Sequence, residues 1–369
     1  MYLHPMDSHL ILLHRNHACT PHVCTQVSSL VQLARRMDLS RIRRVVDVGC
    51  GRGHLLSALQ EALPTIETLG LDSDAALLDR ARELYPKVSF QAFDVFVQPL
   101  APLLAEGDLL VGLHPCGKVG EIVVEAAAAA AGGTVAVGGT AAAGGTAAAG
   151  GTAAAGGAAA AGGAAASRVG VSLLMVPCCV HKQNGQPRPS RSAAGRDAKL
   201  MLGCAALKKA SMALDASTTV GARRTRHALR GLLLARGVTE LELRRRNEME
   251  GIRGKLASRG LDALAAAALA SRQLPPATKQ EIAVATERSH GAFEALRRLS
   301  LVEVVHGELL ELLVVLDRAL CLREAGLKVS IGKAFSTKAS SRNLVLTAMP
   351  ETSLDVGLKS ESIGAGFEL

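Results

Sequence analysis

The sequence predicts an α/β fold with a doubly wound, largely parallel sheet, and three observations point to it. After residue 40, short apolar runs rich in Val, Leu and Ile alternate with helical periodicities, the pattern of parallel strands with helices on both faces. The first run passes through three closely spaced glycines directly into a helical pattern. The polar residues that could do chemistry all fall just after such runs, where ligands bind in open α/β sheets.

Strands are expected at 44–48, 66–71, 88–93, 108–113 and 171–176, with helices near 54–63, 74–85 and 118–130. Residues 197–213 read as one amphipathic helix, from Asp197 through Ala198, Leu200, Met201 and Cys204 to Leu207. Residues 278–325 form a further helical region, in which Glu303 to Leu322 is densely apolar and is expected to cover the sheet. Lys328-Val-Ser-Ile331 and Asn343-Leu-Val-Leu-Thr-Ala348 are the final apolar runs.

Residues 126–166 contain only Ala, Gly, Thr and two Val, and within them 132–163 repeat Gly-Gly-Thr-Ala-Ala-Ala with a period of six. A β-helix shares that period but needs branched apolar residues inside, and the tract has none after Val137. It reads as a low-complexity loop without a chemical role.

Val45-Val-Asp-Val-Gly-Cys-Gly-Arg-Gly-His-Leu55 is the most informative stretch. Glycine admits positive φ and close approach of a ligand to the main chain. The loop and helix N–H groups are left for that ligand. A dinucleotide fingerprint would place its third glycine at position 54. That residue is His54, and the third glycine is Gly53, which disfavours a nicotinamide-dependent dehydrogenase. Asp47, two residues before Gly49, suits a cationic ligand better than a pyrophosphate. Asp72 ends the second strand, nineteen residues after Gly53, and Asp94 follows the third. A carboxylate at position 72 can take both hydroxyls of a ribose, an interaction of about 1.5–3 kcal/mol.

Gly-x-Gly-x-Gly followed by two strand-end carboxylates resembles the cofactor site of class I S-adenosylmethionine-dependent methyltransferases. The resemblance implies that Gly49, Gly51 and Gly53 shape the loop around the methionine part. It places Asp72 on the ribose and Asp94 by the adenine, with Asp47, His54 and His114 as further lining. It also implies a Rossmann-like sheet whose last two strands are antiparallel, and hence a basic helical insertion at 215–300 within one domain.

Composition bounds the rest. Net charge is +9, and residues 215–260 hold 11 Lys/Arg against five acids. Such a stripe could neutralise nucleic-acid phosphates or be a solvated helical face. With no Trp, two Tyr and six Phe, a base-stacking single-strand binder is disfavoured. Eight cysteines in 369 residues are too few for a disulfide scaffold and read as reduced thiols. No secretory signal or membrane span is expected, and a cytoplasmic or nuclear location is the default.

The fourth strand delivers His114-Pro-Cys-Gly117, and the fifth delivers Pro177-Cys-Cys-Val-His-Lys182. His114, Cys178 and His181 are therefore candidates for substrate positioning, general base work or nucleophilic attack. Neither an amide nor an aromatic residue follows the fourth strand in the way that orients an exocyclic amine, so adenine N6 methylation is disfavoured. Three readings of the cysteines stay open: packing at strand ends, zinc binding together with His114 and His181, or thiolate attack on a pyrimidine ring. The second is weakened because neighbouring Cys178 and Cys179 would point apart on an extended chain, and no metal is assigned. His14, His17, Cys19, His22 and Cys24 match no finger spacing and read as a polar flanking segment within residues 1–39.

Gly49–Leu55, Val111–Gly117 and Pro177–Lys182 together resemble the signatures of the methyltransferase-like protein 25 group. Ala194–Leu207, Leu316–Gly326 and Ser341–Ala348 resemble that group's later helix and its closing helix and strand. Position 115 is Pro where the group tends to a small residue or Thr. The resemblance implies one methyltransferase domain over 40–350, with residues 351–369 as a tail. It implies methyl transfer to RNA or a ribosome-associated protein. The competing class is a non-catalytic module that binds such a partner through its basic insertion.

Overall fold

The computed structural model describes residues 21–132, 170–246, 249, 252, 254–351 and 367–368. The period-six repeat lies almost wholly outside them, as do His14, His17 and Cys19.

The core is a sheet of parallel strands β1 (Arg44–Val48), β2 (Glu67–Asp72), β3 (Ser89–Ala92), β4 (Asp108–Cys116) and β5 (Ser172–Cys178). Antiparallel β8 (Leu327–Lys333) and β9 (Leu344–Pro350) complete it, with the short β10 (Phe367–Glu368) on the outer edge. The order is β10-β8-β9-β5-β4-β1-β2-β3. This is the doubly wound arrangement that the resemblance to class I methyltransferases implies, with an antiparallel pair beside β5.

Alternation along each strand builds both faces of the core. Val45, Leu109 and Leu174 pack on one side with α1 (Pro21–Arg36) and α2 (His54–Ala62). Their neighbours Val46, Leu110 and Leu173 pack on the other with α4 (Lys118–Ala130) and α11 (Leu301–Glu324). Strands apolar at every position are expected where helices cover both faces. The α3 helix (Ala75–Leu84) links β2 to β3, with Asp74 capping it by accepting from the N–H groups of Ala76 and Leu77.

Three sequence expectations need adjusting. First, residues 126–130 belong to the helix expected at 118–130 and not to the loop expected from 126: they complete α4, and Ala126, Ala127 and Ala128 are buried against the sheet. Alanine is the best helix former, so the helix runs until glycine begins at Gly132. Second, the single helix at 197–213 is broken. It is replaced by a short helix, α5 (Ala193–Asp197), and by α6 (Cys204–Thr218). Between them Lys199 takes φ 52, and β7 (Met201–Leu202) pairs with β6 (Arg188–Pro189). That pairing holds Arg188 inside the protein, a tertiary demand that overrides helix periodicity. Third, the helical region 278–325 consists of two helices, α10 (Lys279–Leu299) and α11, meeting at Ser300, and it covers less of the sheet than expected. Only the second half of α11 covers the sheet. Val315, Ala319 and Leu322 join the core, whereas Leu301, Val302, Val305 and Leu309 are exposed.

Helices α7 (Val220–Ala235), α8 (Glu240–Arg246), α9 (Leu261–Ala270) and α10 share an apolar core of their own, including Leu229, Leu232, Leu233, Leu264 and Leu269. Arginines of the basic stretch are ion-paired here. Arg224 meets Glu294 at 2.9 Å, Arg236 meets Glu281 at 2.6 Å, and Arg230 pairs with Glu240.

A buried ion network ties α4 to α11 and to the segment that follows β5. Glu121, in the first turn of α4, has no solvent exposure. It accepts from Arg188 Nε at 2.8 Å, Arg188 Nη2 at 3.0 Å, Arg318 Nη2 at 2.6 Å and Arg191 Nε at 3.3 Å. Asp317 accepts from Arg188 Nη1 at 2.8 Å, from the Arg191 N–H at 2.9 Å and from the Ser192 hydroxyl at 2.6 Å. Burial alone would raise the Glu121 pKa, but the Arg318 and Arg188 charges outweigh it and hold the carboxyl well below the usual range.

Removing one member leaves an uncompensated buried charge, which costs about 3–5 kcal/mol. Glu121→Ala is expected to lose that much in urea denaturation. A loss under about 1 kcal/mol would mean that the guanidinium groups are solvated instead.

Candidate active site

Because β1, β2, β3, β4 and β5 are parallel, their carboxyl ends share one edge, and the predicted residues gather along it. The glycine loop comes first. The N–H groups of Gly49 and Cys50 both donate to the Leu71 carbonyl, at 2.7 and 3.1 Å, anchoring the loop on the end of β2. Gly49, Gly51 and Gly53 have φ of 77°, 55° and 75°, where side chains are strained. Their surroundings differ. A Cβ on Gly49 or Gly51 would meet nothing within 4 Å, whereas one on Gly53 would lie 2.6 Å from Phe90 Cζ. Two glycines therefore border open space, and the third permits close packing on β3.

His54 opens α2 but is engaged elsewhere. Its Nδ1 lies 2.7 Å from the Tyr85 hydroxyl, and the rings meet edge-on with centroids 5.8 Å apart. It braces the start of α2 against the end of α3.

The carboxylates follow. Asp47 is buried, and burial with the nearby Asp72 charge pushes its carboxyl up to about 7. A carboxyl in that state gains from a positive ligand, whose charge offsets both causes. Asp72 Oδ2 accepts the Gly51 N–H at 2.8 Å, and Oδ1 accepts the Asp74 N–H at 3.0 Å. Each carboxylate oxygen has a second acceptor site, so hydroxyl groups can still be taken. Asp94 Oδ1 accepts the Phe96 N–H at 2.8 Å. Phe96 itself is 52% exposed and puts an aromatic ring at the end of β3. The aromatic residue just after Asp94 was the signal for it.

At the tips of β4 and β5 the register shifts between Leu113 and Cys116. His114 takes φ 65 there. Its Nε2 lies 3.3 Å from Gln26 Oε1, its ring meets Phe335 edge-on with centroids 6.2 Å apart, and its Nδ1 finds no partner among the described residues. Burial first, and then Arg342, keep its pKa low and the ring neutral. Nothing in the sequence pattern marks Gln26, 88 positions away on α1.

Cys178 is buried and faces Cys116 with the sulfurs 3.3 Å apart, its thiol donating to the His114 carbonyl at 3.5 Å. Its neighbouring thiols and burial push its pKa up. Cys179 carries the lowered thiol of the group, its thiolate favoured first by the adjoining Cys116 and Cys178 thiols and then by the positive charges of Arg342 and Lys182. His181 lies just beyond, with Nδ1 buried and without a partner among the described residues. The edge thus brings Cys116, Cys178 and Cys179 together, and neither histidine joins the sulfurs.

An open glycine cradle, a buried strand-end acid and a second acid at the next strand fit a nucleoside-bearing cation. Residues 21–138 match the family described as methyltransferase domain. Over these residues the chain is similar to a methyltransferase domain. Among curated relatives, it is 38% identical over 64 residues to the trans-aconitate 2-methyltransferase of Variovorax paradoxus (strain S110), covering 17% of this chain and 25% of that protein. It is 27% identical over 60 residues to the putative methyltransferase 235L of Invertebrate iridescent virus 6, covering 16% and 23%. The chain thus spans about a quarter of the length of these relatives. Solved structures similar to it include an S-adenosylmethionine-bound amino pentose methyltransferase from Micromonospora echinaspora, at 18% identity and a TM-score of 0.27, covering 48% of this chain and 57% of that one. Another is a TehB-like methyltransferase from Corynebacterium glutamicum, at 19% identity and a TM-score of 0.24, covering 33% and 65%. Among the described residues of the domain and its helices, no helix is long and apolar enough to cross a membrane.

Asp47 gives the fold a pH dependence with a definite sign. Its folded pKa lies above the unfolded value of 3.8, so the native state binds the extra proton between them. Its contribution to stability therefore falls as pH rises from about 4 to about 7, by at most about 1.4 kcal/mol per pH unit. Asp47→Asn is expected to flatten that slope in urea titrations across the range. An identical slope in the variant would rule out Asp47 as its source.

Proposed function

We propose that the chain is an S-adenosylmethionine-dependent methyltransferase and that the strand-end site is its catalytic centre. The observation that carries this is the open volume at Gly49 and Gly51 beside buried Asp47 and strand-end Asp72. A glycine turn made only for packing would resemble Gly53, filled by a neighbouring ring.

The cofactor supplies an electrophilic methyl group on a positively charged sulfur. Gly49 and Gly51 leave room for its methionine part, and Asp47 lends negative charge to that end. Asp72 takes the ribose hydroxyls, and Asp94 with Phe96 flanks the adenine. Catalysis then consists largely of holding the acceptor in line with the methyl group. His114 Nδ1, a buried acceptor with no protein partner in the described residues, is placed to receive a hydrogen bond from the acceptor. His181 lines the same edge. Cys178, buried with a raised pKa, is poorly suited to attacking a ring as a free thiolate.

The finer reading is membership of the methyltransferase-like protein 25 group and a macromolecular acceptor, RNA or a ribosome-associated protein. Its support is the order and spacing of the three motifs and the helical region between β7 and β8. Trans-aconitate, named for one set of relatives, is a weaker guide because those matches span some 64 residues. The binding-only alternative loses ground because basic residues of its surface, Arg224, Arg230 and Arg236, are already paired with glutamates.

Calorimetric titration is expected to show micromolar binding of S-adenosylmethionine and S-adenosylhomocysteine, about −8 kcal/mol, and none of NADH. Asp72→Ala should weaken it at least tenfold, about 1.4 kcal/mol, in a protein that still unfolds cooperatively. Unchanged affinity in the folded variant would remove the ribose role. Labelled methyl recovered in RNA, in protein or in small acids then decides the acceptor.

A further inference from the structure

We infer that Cys116, Cys178 and Cys179 form a zinc site whose three thiolates leave the fourth coordination position to a ligand from outside the protein. All three sulfurs lie within 4.8 Å of one another, and those of Cys116 and Cys178 are 3.3 Å apart. Zinc–sulfur bonds of about 2.3 Å in a tetrahedral site put sulfurs about 3.8 Å apart. Small side-chain adjustments are enough to bring this group to that spacing.

The backbone is shaped to converge these thiols. Side chains of adjacent residues on a strand point to opposite faces, and Cys178 and Cys179 would diverge if β5 ran on. Instead Cys179 leaves the strand with φ 48, and its sulfur returns to the side of Cys178. The register shift in β4 then sets Cys116 opposite Cys178. His114 and Cys179 both hold left-handed φ without being glycine, a conformation that costs about 1–2 kcal/mol per residue. Packing of three small apolar side chains does not require that cost.

The loop around the thiols is fixed before any metal arrives. Lys182 N–H donates to the Cys179 carbonyl at 2.9 Å, Lys118 N–H to the Lys182 carbonyl at 3.0 Å, and Gly117 N–H to the Cys178 carbonyl at 3.2 Å. A Cβ at Gly117 would fall 2.1 Å from the Lys182 oxygen, so the two tips pack too closely for any other residue there. Three thiolates on one zinc carry a net charge of −1. Lys182 and Arg342 lie near enough to Cys179 to offset it.

Among the described residues no fourth His, Cys, Asp or Glu completes the group. Zinc with three protein ligands keeps its last position for water or substrate. The site stands on the strand-end edge, so that position would meet the methyl acceptor. Only this last point rests on the proposed methyltransferase activity.

The test is metal analysis of the full-length protein, purified under reducing conditions without chelator after growth with added zinc. About one zinc per chain is expected. Cys116→Ser and Cys179→Ser should each hold less than about a tenth of that, while Cys204→Ser keeps it. Exchange of cobalt(II) into the wild type should produce thiolate charge-transfer bands and the visible bands of a tetrahedral ion. Added free thiol should shift them through the open position. Because these readouts need no turnover, they separate failure of the zinc site from failure of the methyltransferase reading. Zinc-free wild-type protein would overturn the proposal, and so would full zinc in both variants. A Cys116–Cys178 disulfide in the freshly purified protein would overturn it too, and unshifted cobalt bands would overturn the open position.

Discussion

The fully buried Glu121 carboxylate is the constraint on which the site depends. It sits in the first turn of α4, directly after the β4 tip, where the helix N-terminus also favours negative charge. Its partners are 67 and 197 residues away in sequence, Arg188 beyond β5 and Arg318 in α11. One carboxylate thus fixes the segment that follows the fifth strand and the helix that leads to the closing strand pair. The β4 and β5 tips, with their histidines and cysteines, are held between those anchors. Desolvation makes such a network costly, and every group in it is needed to satisfy another.

Legibility in the sequence followed the range of the interaction. The glycine loop, Asp72 and Asp94 could be read because strand, turn and helix are local patterns whose residues sit within a few positions of one another. The central strands fell where apolar runs predicted them for the same reason. The break at Lys199 could not be read, since it serves Arg188 pairing with a residue 67 positions earlier. Gln26 beside His114 and Arg342 beside Cys179 were hidden in the same way. The cysteine geometry turned on one dihedral angle: extended alternation sends the two thiols apart, and φ 48 at Cys179 reverses that.

Charge counting along the chain was the least faithful guide. The stretch 215–260 is strongly basic by composition, yet the acids that meet Arg224 and Arg236 lie outside it, at Glu294 and Glu281. Glu281 also closes the capping box with Thr278 at the start of α10. A window of sequence sees the arginines without their partners, so the folded surface is less cationic than its linear count.

The unequal roles of the three glycines bear on how decayed relatives of this domain are recognised. Gly53 is bound to its position by the Phe90 ring, a packing demand that outlives any loss of catalysis. Gly49 and Gly51 face empty space, and asparagine tolerates left-handed φ better than most residues. A descendant that no longer uses the cleft could accept Asn at either place while the fold still enforces Gly53. Persistence of the third glycine is therefore a record of architecture, and persistence of the first two is a record of use.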